Sequence, residues 1–272
     1  MTLVPAFAAP FQPDALVPVP TGGPDVDAAW AFDGATGAGV RVAVVDSGID
    51  VDHRRVGGPS HPGAALRWDR DAQRAVVEPG PHLDLFGHGT ACAGVIRRAA
   101  PEAELMSVRV LGDRLTGKGQ VFAEGLRWAV EHGARVLNLS LSTGKRDFFA
   151  MFHEVADAAY FAGAVIVCAM NNVPAETYPG QFASVVSVAA CPGDDPFTLY
   201  VNPRPPADFG APGIDVDVAW SDGGSIVTTG NSFAAPHVAG LVARLLSKHP
   251  ELTPYEVKAV LRAVARNAVR PA

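Results

Sequence analysis

From residue 41 onward, short apolar runs alternate with helix-length stretches, and this alternation leaves few folds open to the chain. The runs are VAVV at 42–45, LMSVRVL at 105–111, ARVLNLSL at 134–141 and AVIVCA at 164–169. Helical patterning separates them, after His88, from about 119 to 132 and from about 147 to 162. Apolar runs too short for buried helices, spaced by segments of ten or more residues, predict right-handed β-α-β units and a parallel sheet covered on both faces. The expected fold class is α/β: a three-layer, doubly wound, mostly parallel sheet with helices on both faces.

Beyond residue 170 the helical pattern pauses. The runs SVVSVAA at 184–190, IDVDVAW at 214–220 and SIVTTG at 225–230 extend the sheet or pair beside it, and two helices, 231–248 and 254–267, close the chain. The first of these opens with GNSFAAPHVAG at 230–240, where Asn231 and Ser232 suit a helix start and Pro236 is tolerated only near one. With 272 residues, 48% of them hydrophobic, and no internal repeat, one large domain is expected over 22–272. Residues 1–21, interrupted by Pro5, Pro10, Pro13, Pro18 and Pro20, read as an extended arm.

A formal net charge of −6 without a basic run argues against nucleic acid or an anionic membrane as partner. No apolar run reaches the roughly 18 residues that a spanning helix needs. No Lys or Arg precedes Arg41, so the start lacks the charged region of a secretory signal. Cys92, Cys168 and Cys191 are an odd set without C-x-x-C spacing and read as buried free thiols. The expectation is a cytoplasmic protein.

In a parallel sheet, sites gather at the carboxyl ends of strands. Asp46 ends RVAVVD before Ser47-Gly48, His88 lies between glycines at the mouth of an apolar helix, and Ser232 opens another. Singly these are a turn former, a cap and a cap. Together they are an orienting carboxylate, a base and a nucleophile, since a serine hydroxyl becomes reactive only when an imidazole takes its proton and a carboxylate holds that imidazole's tautomer.

VAVVDSGID, HGTACAGVI and GNSFAAPHVAG, in that order, resemble the Asp, His and Ser motifs of the subtilisin-like serine proteases, from about residue 22 to the C-terminus. The resemblance implies a subtilisin-like fold and a serine endopeptidase working through an acyl-enzyme, with Asp46, His88 and Ser232 in the three roles. It further implies a side-chain amide as oxyanion donor, and VIVCAMNN puts Asn171 there, with Asn172 as the competing loop residue. Losing such an amide costs roughly 3 kcal/mol of transition-state stabilisation, a magnitude that comes from subtilisin itself. A peptide or protein substrate would bind as an added strand along Ser140-Leu141-Ser142 and Gly117-Lys118-Gly119-Gln120. Ser142 stands where the family commonly has glycine, and Asn231 and Phe233 replace the usual threonine and methionine beside the serine.

No cofactor is expected. No metal is expected either, because the helix after His88 carries no Asn- or Asp-rich insertion and His53, His61 and His82 lack ligand spacing. The charged stretch from Gly57 to Gly87 reads as a surface hairpin near the cleft. Leu3-Val4-Pro5 and the arm behind it are expected to shield the site until trimmed. Two rival functions share these residues: a dedicated precursor-processing or acyl-transferring enzyme, and a peptide-binding scaffold without turnover.

Overall fold

The computed structural model describes residues 5–17, 19–20 and 26–269. In chain order its strands and helices are β1 (Val19–Pro20), α1 (Ala28–Phe32), β2 (Arg41–Asp46), β3 (Ser60–Asp69), β4 (Arg74–Pro79), α2 (His88–Ala99), β5 (Glu104–Arg109) and α3 (Gly119–Glu131). There follow β6 (Val136–Leu139), α4 (Phe149–Phe161), β7 (Val165–Ala169), β8 (Val186–Pro192), β9 (Tyr200–Val201), β10 (Phe209–Ile214), β11 (Val216–Ala219), β12 (Ser225–Thr228), α5 (Asn231–Lys248), α6 (Pro254–Val264) and β13 (Ala268–Val269).

Nine strands form the main sheet in the order β4-β3-β5-β2-β6-β7-β8-β10-β9, parallel except at its two antiparallel edges, β3/β4 and β9/β10. The strand order reverses around β2, which pairs with β5 on one side and β6 on the other. Because successive strand residues point to opposite faces, Val42 and Val44 pack with α2 and α5 residues such as Cys92, Ile96 and Val238, whereas Ala43 and Val45 pack with Leu126, Ala129 and Phe152 of α3 and α4. The expected layers are therefore present, each with its own apolar core.

The charged stretch from Gly57 to Gly87 forms a hairpin, but its first strand also joins the main sheet: β3 runs parallel to β5 and buries Ala64, Ala65 and Leu66. β10, with the sequence FGAPGI, lies in the sheet despite its proline and glycines. Its Gly210 lies under the Phe11 ring, which a Cβ would meet at 2.3 Å.

The arm is not uniformly extended. Two short 3-10 turns, at Ala9–Phe11 and Pro13–Ala15, begin at or next to prolines, and Phe11 packs with Met170, Ala189, Cys191 and Ala207. Leu3 and Val4, on which the shielding expectation rests, lie outside the described residues. Among the described residues, no helix is long and apolar enough to cross a membrane.

Candidate active site

Asp46 ends the central strand and is fully buried; its Oδ1 accepts the Ser47 N–H at 2.7 Å. His88 is the first residue of α2, and the turn after β2 lies against that helix start so closely that a Cβ on Gly89 would sit 2.0 Å from the Gly48 carbonyl. Asp84 pins the two together. Its carboxylate accepts the N–H groups of Phe86 and Gly87, the Thr90 N–H and hydroxyl, and the Ser47 hydroxyl, which in turn accepts the Gly89 N–H. Burial pushes the Asp84 carboxyl up, but the hydrogen bonds from Thr90, Gly87, Phe86 and Ser47 outweigh it and hold the group below the ordinary carboxylate range. Asp84 and Ser47 were not singled out from the sequence. The signal was present as an acidic residue just ahead of an apolar helix, a capping pattern.

His88 Nδ1 donates to Asp46, 2.9 Å from each carboxylate oxygen. Burial of His88 disfavours the imidazolium, yet the charge of Asp46 and the hydrogen bond to it prevail, so the His88 pKa is raised. Nε2 makes no hydrogen bond among the described residues.

Ser232 is the second residue of α5. Pro236, four residues on, has no N–H to give to the Ser232 carbonyl, which instead accepts the Ser140 hydroxyl at 2.7 Å, with the Cys92 sulfur 3.6 Å away. Ser140 holds the residue at both ends, because the Ser232 hydroxyl donates to the Ser140 carbonyl at 3.1 Å rather than to His88. Cys92, one helical turn after His88, marks how near the elements are: its sulfur lies within 4.8 Å of ligand atoms of both Asp46 and His88. The Phe233 ring is 5.5 Å from the imidazole. The Asp46, His88 and Cys92 grouping is the one triplet of potential metal-ligand side chains among the described residues. Burial, then the Asp46 charge, pushes the Cys92 thiol far up, and it donates to Ser140 Oγ at 3.2 Å, so it stays protonated.

The two asparagines after β7 separate cleanly. Asn171 turns its Oδ1 to the Val173 N–H within its own loop, at 3.2 Å. Asn172 instead reaches the start of α5, its Oδ1 accepting the Asn231 N–H at 2.9 Å. The amide beside Ser232 is therefore that of Asn172. β7 ends at Ala169, so the strand alternation that would carry odd-numbered residues to the α5 face stops before Asn171.

The expected substrate residues are only partly brought together. Leu141, Ser142, Gly117, Lys118 and Gly119 line one pocket of about 280 Å³, floored by Phe122, Phe148 and Phe152. Ser140 is buried and its hydroxyl is turned to the Ser232 carbonyl rather than to the pocket. Gly119 and Gln120 are the first residues of α3, and helical backbone cannot pair with an added strand, so the extended edge on that side ends at Lys118. Past Ser142, Thr143 forms an antiparallel bridge with Tyr178.

An aspartate ending a central parallel strand, a histidine opening one helix and a serine opening another on the same face form the layout of a subtilisin-like α/β fold. A sequence profile of the subtilase family matches residues 37–272, and the chain belongs to that family. It is 31% identical over 249 residues to subtilisin E of Bacillus subtilis, covering 85% of this chain and 62% of that protein. To subtilisin Savinase of Lederbergia lenta it is 32% identical over 243 residues, covering 85% of each. Among solved structures, a cold-adapted subtilisin-like serine proteinase aligns with TM-score 0.66 at 26% identity over 83% of this chain and 81% of its own. A psychrophilic protease aligns with TM-score 0.69 at 27% identity over 84% of each.

Proposed function

We propose that the chain is a serine endopeptidase in which Ser232 attacks the peptide carbonyl, His88 is the general base and Asp46 orients it. The observation that carries this reading is the His88 Nδ1 contact to both Asp46 oxygens. It fixes the tautomer that leaves Nε2 as the acceptor and stabilises the cation formed on proton transfer. Ser232 rests on the Ser140 carbonyl. Rotation about its Cα–Cβ bond frees the hydroxyl to hand its proton to Nε2.

As the hydroxyl oxygen bonds to the carbonyl carbon, negative charge gathers on the carbonyl oxygen. The Ser232 N–H at the α5 start and the Asn172 amide supply the two donors. Collapse to the acyl-enzyme returns the proton from His88 to the leaving amine, and water then enters by the same path. The substrate is a peptide or protein lying extended along Leu141-Ser142 and Gly117-Lys118, one side chain entering the pocket over Phe122 and Phe152.

A fluorophosphonate probe tests the assignment. Labelling at Ser232 that vanishes in His88→Ala is the expected result, and labelling elsewhere, or unchanged labelling in that variant, overturns it.

A further inference from the structure

Asn231, the residue before the nucleophile, is fully buried, and its carboxamide occupies the place of a missing backbone rung. β7 and β8 run parallel, and their ladder continues through the Met170 N–H, which donates to the Val188 carbonyl at 2.9 Å. The next rung would join Ala190 to Met170. Asn231 stands between them instead: its Oδ1 accepts the Ala190 N–H at 2.8 Å, and its Nδ2 donates to the Met170 carbonyl at 3.1 Å. The same Nδ2 lies 3.0 Å from the Asn171 carbonyl and 2.9 Å from the Ala6 carbonyl. Ala6 closes the loop by donating its N–H to the Asn172 carbonyl at 2.9 Å. A threonine at this position has one hydroxyl proton, which cannot serve three carbonyls while also accepting the Ala190 N–H with amide geometry.

We infer that Asn231 is a positioning residue that splices the parted ends of β7 and β8 and clamps the N-terminal arm through Ala6, thereby holding the Asn172 amide beside Ser232. The inference rests on the reading of Asn172 as an oxyanion donor. Asn231 touches no reacting atom through its side chain and acts through the backbone on either side of Asn171. The arm from Pro5 onward is then part of the site's support.

A double-mutant cycle with Asn172→Ala tests this, with rates normalised to the fraction of enzyme titrated by a fluorophosphonate. Asn231→Thr is expected to lower kcat about tenfold with KM changed less than about twofold, and to lower kcat less than about twofold further when Asn172 is already alanine. Deletion of residues 1–8, which removes Ala6 and keeps Phe11, is the second variant. It is expected to lower kcat about threefold, again only when Asn172 is present. Equal losses in both backgrounds overturn the inference while leaving the oxyanion reading standing. If Asn172→Ala itself has no effect on kcat, the oxyanion reading falls and the inference falls with it.

Discussion

Replacing Ser140 by alanine isolates what Pro236 does to the nucleophile's helix. The proline leaves the Ser232 carbonyl without its helical donor, and the Ser140 hydroxyl, at 2.7 Å, takes that place. In Ser140→Ala that carbonyl keeps only the Cys92 thiol at 3.6 Å, and the Asn138 amide, fully buried, loses the Ser140 oxygen it meets at 3.1 Å. Leaving one buried carbonyl poorly satisfied costs about 1–3 kcal/mol and losing the amide's hydrogen bond about 1 more, so the expected destabilisation is about 3 kcal/mol. In a domain of this size that is a fall in Tm of about 6–12 °C. The assay is denaturant unfolding of Ser140→Ala, Pro236→Ala and the double variant. Alanine at 236 restores an N–H four residues after Ser232, so the Ser140 substitution is expected to cost at least about 1 kcal/mol less in that background. Additive losses, or a single-variant cost under about 0.5 kcal/mol, refute the account of the freed carbonyl.

Three further outcomes follow from the site. Asn172→Ala should lower kcat by about a hundredfold or more, a magnitude set by the equivalent loss in subtilisin, and Asn171→Ala by less than tenfold; steady-state kinetics showing the reverse order would return the role to Asn171. Because the His88 pKa is raised, kcat/KM should be lost as pH falls through a value above the ordinary histidine range. The same pair contributes stability that is present below that ordinary value and is lost as pH rises through the raised one. Asp46→Asn should move the acid limb of the pH profile downward and lower kcat by about 10⁴; an unmoved limb would mean that another group titrates.

The strands β2, β5, β6 and β7 could be read from sequence because a strand buried on both faces is a near-continuous apolar run, and their ends then named Asp46 and the neighbourhood of Ser140. β3 hid its sheet membership, since AALRW sits among charges and only its alanines and Leu66 go inside. β10 was hidden by its glycines and proline; Gly210 answers to Phe11, which packs on it from a distant part of the chain, and Gly213 to the close approach of Ala190, Gly230 and Ala234. The choice between Asn171 and Asn172 depends on where the chain leaves the sheet, and Gln120 on where α3 starts; local composition encodes neither to one residue. Asn231 looked like a simple helix starter because its partners, Ala6, Met170 and Ala190, are remote from it in sequence.

The two helical layers divide the labour. α2 and α5 carry His88 and Ser232, whereas α3 and α4 supply Phe122 and Phe152 to the pocket along the substrate edge. On the proposed reading, reactivity and selectivity are thus housed in separate cores on opposite sides of one sheet. That reading makes the aromatic layer the natural target for altering peptide preference in this chain, since substitutions there leave the layer that carries His88 and Ser232 untouched.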